Sequence, residues 1–138
     1  MAENKTKPTK VSVAAFLKAR ATGQQFEDSQ ALVKLFREIT GKPAKMWGPS
    51  IVGFGAYHYV YESGHEGDAP LLGFSPRKPE MVLYVPRFAG DESQRARLGK
   101  VKASAGCLYV KKLADIDLAA LEKLAVKGVA ALRKKYSA

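Results

Sequence analysis

Apolar residues recur at helical spacing towards both ends of the chain, and this pattern predicts three main helices. Ser12 is the expected N-cap of the first helix, and Asp28 is that of the second. Gly41 is expected to end the second helix, because glycine readily adopts the left-handed conformation common after a helix. The apolar stripes are Val13, Phe16 and Leu17 in the first helix, and Leu32, Leu35, Phe36 and Ile39 in the second.

The third helix is expected to start at Asp117, close to the end of the chain. Ile116 and Leu121 stand at the two positions of a hydrophobic staple around its first turn. Its apolar face contains Leu118, Leu121, Leu124, Ala125 and Leu132. Gly128 is expected to weaken this helix by about 1 kcal/mol relative to alanine.

Helical spacing disappears in the middle of the chain, where short apolar or alternating runs predict strands. These strands are expected at 45–47, 57–61, 71–75, 81–85 and 107–110, with a short helix inside 88–98 capped by Asp91 or Ser93. We expect 71–75 to pair with 57–61 across a polar loop, and 81–85 to be a central strand because it is continuously apolar. The gaps are too short for crossover helices, so the strands should form an antiparallel meander. Helices, meander and helix together predict the α+β class.

Length and charge then limit the domain organisation. The chain has 138 residues, and its 23 Lys and Arg against 13 Asp and Glu give a net charge of +10. Residues 1–10, with Lys5, Lys7 and Lys10, are expected to form a flexible basic arm in front of a single domain at 11–138. The start lacks the apolar core of a signal peptide and no run is long enough to span a membrane, so we expect a cytoplasmic protein without a membrane partner.

Few residues suggest catalysis or metal binding. The single cysteine, Cys107, rules out an intramolecular disulfide, and with only two histidines the chain contains no recognisable nucleophile–base motif. Enzymatic activity is therefore not expected.

The loop residues Glu62, His65, Glu66 and Asp68 are suitable metal ligands in type, but their spacing matches no known site, and a solvated hairpin connection is the expected role. Gly53 and Gly55 lack the third glycine of a dinucleotide fingerprint and should allow a bulge or a close backbone approach next to Trp47.

A set of aromatic and basic residues is the main candidate for a binding site. Aromatic rings on one face of a sheet can form an apolar floor, and Arg or Lys at its rim can bind a carboxylate or phosphate. The candidate residues are Trp47, Tyr57, Phe74, Arg77, Lys78, Tyr84, Lys100 and Tyr109. If they converge, a small anionic molecule is the expected ligand. The alternative is that the rings belong to the core and the basic residues only keep the protein soluble.

The basic charge also allows non-specific association with nucleic acid. Lysines and arginines on the arm, on the last helix and at Arg95, Arg97, Lys100 and Lys102 could contact phosphates. No sequence-reading motif accompanies them, so only salt-sensitive backbone contacts are expected. The sequence makes no prediction of the oligomeric state.

Several segments, taken in order, carry a resemblance to a known family. They are 46–55 (MWGPSIVGFG), 72–78 (LGFSPRK), 81–84 (MVLY), 98–100 (LGK), 107–113 (CLYVKKL) and 115–117 (DID). Together they resemble the YdhG-like family of small bacterial domains of unknown function, over roughly residues 12–127. The resemblance implies an α+β fold with helices, including the C-terminal one, packed on one face of an antiparallel sheet.

The same resemblance implies a possible metal cargo. Some family members are described as frataxin-like iron chaperones, which hold iron through exposed carboxylates on an acidic helical surface. Here the first predicted helix carries Lys18 and Arg20 and no acid. The second combines three acids with two bases: Glu27, Asp28 and Glu38 with Lys34 and Arg37. The two helices therefore lack the acidic surface through which such chaperones hold iron. A net charge of +10 also repels cations at long range.

Overall fold

A computed structural model describes residues 8, 9, 11–104 and 107–136. Its helices are α1 (Val13–Arg20), α2 (Gln24–Thr40), α3 (Glu92–Ala96) and α4 (Leu118–Tyr136), with a 3-10 turn at Leu113–Asp115. Its strands are β1 (Pro8–Thr9), β2 (Ala44–Trp47), β3 (Ile51–Phe54), β4 (Tyr57–Val60), β5 (Glu66–Ala69), β6 (Leu72–Ser75), β7 (Met81–Tyr84), β8 (Lys102–Ser104) and β9 (Cys107–Val110). The predicted α+β class is confirmed.

Seven of the strands form one antiparallel sheet in the order β1-β2-β3-β6-β7-β9-β8. The meander is confirmed, and β7 has neighbours on both sides, as expected for 81–85. The predicted pairing of 57–61 with 71–75 is wrong. Strand β4 pairs instead with β5, inside the expected loop, and these two strands form a separate hairpin. Strand β6 has β3 and β7 as its two neighbours, so neither of its edges is open to β4. Strand β3 was not predicted, because Gly53 interrupts the alternation of side chains within its four residues.

The hydrophobic core lies between one face of the sheet and the helices. Phe36 of α2 packs edge-on against Phe54 and Phe74 of the sheet, with ring centroids 5.7 and 6.4 Å away. Leu121 and Leu124 of α4 are fully buried and belong to the same cluster. The predicted packing of the C-terminal helix on one sheet face is therefore confirmed. Residues directly opposite each other on paired strands point to the same face of the sheet. One such row points towards the helices and consists of Met46, Val52, Phe74, Leu83 and Leu108.

The helix ends agree with the sequence in most places. The Ser12 hydroxyl accepts a hydrogen bond from the Ala15 N–H at 3.2 Å, and Gly41 ends α2 with a φ of +70°. The predicted cap at Asp28 is wrong, because α2 already begins at Gln24. The buried Asp28 carboxylate accepts a hydrogen bond from the Leu113 N–H at 3.0 Å, so it joins α2 to the turn before α4.

Only part of the predicted arm lies in the described residues. Pro8 and Thr9 pair with Trp47 and Met46 at the edge of the sheet, and the remainder of residues 1–10 lies outside the described part, so the flexible arm stays a prediction. Within the described residues, none of the helices combines the length and the apolar character that crossing a membrane requires.

Candidate functional site

The eight residues of the aromatic–basic set do not lie in one place. Phe74 faces the helices and is fully buried against the rings of Phe36 and Phe54. It belongs to the core and cannot touch a ligand on the other face of the sheet. Lys100 lies beside the start of α4, where its N–H donates to the Asp115 carbonyl at 3.1 Å. Lys100 lies shortly before β8, and Arg77 lies shortly after β6. These two strands are three strand spacings apart, or about 14 Å, so Lys100 and Arg77 do not share one site.

Three members of the set lie on the sheet face opposite the helices, which we call the outer face. Arg77 donates to the Tyr84 hydroxyl at 3.4 Å and to the Ser75 hydroxyl at 3.3 Å. Burial raises the pKa of Tyr84, while the positive charge of Arg77 opposes that rise. Tyr109 pairs with Val82, the position beside Ser75, so it points to the same face. This arrangement is a hydrogen-bonded patch, and Lys78 is an exposed residue in the adjacent turn.

Tyr57 lines a groove between the hairpin, the outer face and the end of α4. The groove has a volume of about 440 Å³, and Tyr57, Tyr84 and Leu132 lie on different parts of its wall. The Tyr57 ring also packs against the Tyr136 ring, with centroids 5.1 Å apart. Burial raises the pKa of Tyr57, and the neighbouring tyrosines add to that rise. The groove therefore brings together two of the predicted aromatic residues, and Arg87 is the basic residue in its lining.

Trp47 lines a different cavity, which we call the Trp47 pocket. Its volume is about 530 Å³, and it opens where the chain passes from α2 into β2 and where α4 ends. Gly53 makes room for the indole, because a Cβ at that position would lie 2.7 Å from the indole Nε1. This confirms the expected close approach beside Trp47. The indole is only 1% exposed, so it forms a firm apolar wall and not an open stacking platform.

Three basic side chains surround the Trp47 pocket. Lys45 stands two positions before Trp47 on β2, so both point to the outer face, while Lys42 lies in the short link after α2. Arg133 reaches the pocket from α4, and its Nη2 donates to the Thr40 carbonyl at 2.8 Å. No acidic residue is present among the described residues that line it, which also include Pro43, Gly53, Gly55, Ala56 and Leu71. The pocket thus combines apolar walls with three positive charges.

Sequence reasoning identified Trp47 but missed the three cations. Lys42 and Lys45 stand close before Trp47, and this proximity was the local signal that could have marked them. Arg133 had no such signal, because 93 residues separate it from Thr40, the residue it bonds.

The β4–β5 hairpin contains the loop residues considered as metal ligands. The exposed His58 ring donates to Asp68 Oδ1 at 2.9 Å and lies 3.3 Å from Glu66 Oε1. The hydrogen bond to Asp68 raises the pKa of His58, and the Glu66 carboxylate acts in the same direction. His65 stacks on Tyr61, with centroids 6.0 Å apart, and Glu62 is exposed. Within the described ranges, no three His, Cys, Asp or Glu side chains form a group that could hold a metal ion.

Comparison of the chain with protein families, with curated proteins and with solved structures finds no match. The resemblance to the YdhG-like family therefore stays a prediction from the sequence.

Proposed function

We propose that this protein is a non-enzymatic binding domain whose Trp47 pocket holds a small carboxylate or phosphate ligand. The observation that supports the proposal most strongly is the composition of the pocket lining, in which Lys42, Lys45 and Arg133 surround an apolar wall without an acidic neighbour. A volume of about 530 Å³ falls within the range of small-molecule sites.

The charges favour an anion for a simple electrostatic reason. Opposite unit charges about 4 Å apart attract by about 4 kcal/mol at the effective dielectric constant of a protein surface. The ammonium groups of Lys42 and Lys45 are exposed and free to adjust to a ligand. The Arg133 guanidinium is held by its hydrogen bond to the Thr40 carbonyl, and its other N–H groups can donate hydrogen bonds to a carboxylate or phosphate. A metal cation such as iron would be repelled at the same place, so the proposal does not extend to iron.

The proposal keeps the predicted ligand class and changes the residues that bind it. Of the eight predicted site residues, Trp47 is the one in the pocket. Arg77, Tyr84 and Tyr109 lie on the outer face, and we assign them no role in this binding. We place the function in the cytoplasm, in line with the expectation from the sequence.

Calorimetric titration with phenyl phosphate, which combines a ring with a phosphate group, tests the proposal. Removing two charge-assisted contacts, each of about 1.5–3 kcal/mol, should weaken binding strongly. We therefore expect the double variant Lys42→Gln/Lys45→Gln to raise the Kd at least about tenfold. The matched control, Lys18→Gln/Lys34→Gln, removes two exposed lysines from α1 and α2 and should leave the Kd unchanged. Equal weakening in both variants, or no binding by the unaltered protein, would refute the proposal.

A further inference from the structure

The outward side of α4 carries a row of lysines. At 100° per residue, Lys123, Lys127 and Lys134 fall within about 40° of one another around the helix axis. All three are exposed, whereas Leu121, Ala125 and Val129, on the opposite side, are buried. Lys134 follows Lys123 by 11 positions, so the row extends about 16 Å along the helix.

A second basic pocket adjoins this row. It lies between α3 and α4, has a volume of about 350 Å³, and is lined by Arg97, Lys123 and Lys127 together with polar side chains of α3. Asp117 is the acid in its described lining, and its Oδ1 already accepts the N–H groups of Ala119 and Ala120 at 3.0 and 3.2 Å. We call Arg97, Lys123, Lys127 and Lys134 the α3–α4 basic surface. It combines a recess lined by basic side chains with a straight row of positive charges.

We propose that the α3–α4 basic surface binds the sugar–phosphate backbone of nucleic acid. One strand of B-form DNA carries a phosphate about every 3.4 Å along the axis, so roughly five phosphates accompany the 16 Å row. Lysines and arginines that contact phosphates provide affinity without reading the sequence, which fits a surface made of flexible, exposed basic side chains. This site is separate from the Trp47 pocket and does not depend on the function proposed for it.

The burial pattern of α4 favours nucleic acid over an anionic membrane. A helix that lies on a bilayer buries a large apolar face in the lipid interface. The apolar face of α4 is already buried against the sheet, with Leu121, Leu124 and Val129 in the core. The exposed parts of α4 carry the lysine row, with Leu118 and Val126 as separate apolar side chains eight residues apart. Nucleic acid is therefore a better partner than a membrane, because it needs only positive charge on the protein surface.

Fluorescence anisotropy with a labelled 20-base-pair DNA duplex, measured at several salt concentrations, tests this surface. Each lost phosphate contact should reduce the slope of log K against log salt by about 0.9. For Lys123→Gln/Lys127→Gln/Lys134→Gln we therefore expect a slope smaller by about 2.7 and clearly weaker binding at low salt. The control Lys18→Gln/Lys34→Gln/Lys111→Gln removes the same charge from exposed positions elsewhere.

The proposal is contradicted if the unaltered protein does not bind the duplex at low salt. Equal losses in the two triple variants would also contradict it, because they would show an effect of net charge alone. Binding to phosphatidylcholine–phosphatidylserine vesicles that depends on the three α4 lysines, without duplex binding, would assign the surface to a membrane instead. The triple α4 variant should still bind phenyl phosphate normally, so failure of this proposal and failure of the Trp47 pocket can be told apart.

Discussion

At the scale of single residues, Asp91 has the most strongly perturbed carboxyl group that the structure describes. Its side chain is 1% exposed and accepts hydrogen bonds from Arg95 Nε at 2.8 Å, from Arg87 Nη2 at 3.1 Å and from the Phe88 N–H at 3.2 Å. Burial alone would raise the pKa of Asp91, but these hydrogen bonds outweigh it and lower the pKa to about 2. Arg95 also donates to the Val85 and Pro86 carbonyls, so the pair fixes the chain between β7 and α3.

We expect the Asp91 network to make the protein sensitive to acid. The folded-state pKa is below the ordinary value of 3.8, so the stabilisation is present above about pH 4 and is lost as the pH falls towards 2. Its size is about 2 kcal/mol. The variant Asp91→Asn leaves buried Arg95 without its counter-charge and should cost about 3 kcal/mol at pH 7. Urea unfolding of both proteins between pH 7 and pH 2.5 measures these changes.

Two outcomes of that measurement would count against the Asp91 account. One is an unfolding free energy for Asp91→Asn equal to that of the unaltered protein at pH 7. The other is an unchanged acid dependence in the variant. Glu92→Gln, which removes an exposed carboxylate from the first turn of α3, serves as the control and should shift the unfolding free energy only slightly.

At the scale of elements, the sequence predicted best what depends on local patterns. The cap at Ser12, the end of α2 at Gly41 and the interior strand 81–85 follow from neighbouring residues alone, and all were correct. The pairing of 57–61 was wrong because strand partners compete across the whole sheet. Asp28 was misassigned for a similar reason, since its partner Leu113 lies 85 residues away.

Gly128 shows how packing overrides helix propensity in α4. The sequence marks it only as a weak point, but in the structure α4 passes so close to the loop after β7 that a Cβ on Gly128 would lie 2.6 Å from the Pro86 carbonyl oxygen. The missing side chain therefore permits the contact between the helix and this loop.

We expect Gly128→Ala to destabilise the protein by up to about 2 kcal/mol, because overpacking costs about 1–3 kcal/mol and the gain in helix propensity is about 1 kcal/mol. Val126→Ala is the matched control, since it also raises helix propensity but at an exposed position of the same helix. It should be neutral or slightly stabilising. Thermal unfolding followed by circular dichroism compares the two variants, and a more stable Gly128→Ala protein would show that the close approach does not matter.

At the scale of the whole molecule, the fold distributes the +10 charge unevenly. Lys42, Lys45 and Arg133 gather at one end of α4, and Lys123 and Lys127 adjoin Arg97 nearer to its start. The anionic ligand class stays a prediction from the aromatic and basic residues. The sequence could not predict the pocket, because the chain brings Arg133 beside Thr40 only after folding. Aromatic residues predicted for one site are divided among the core, the outer face and two cavities for the same reason.

An NMR titration of the isotope-labelled protein with phenyl phosphate shows whether the ligand binds in the Trp47 pocket, because amide shifts locate the ligand without assuming a site. We expect the largest shifts at 42–47, 53–56 and around Arg133, together with the indole N–H of Trp47, the single tryptophan. Shifts concentrated instead around Arg77 and Tyr84, or no shifts at millimolar ligand, would contradict it.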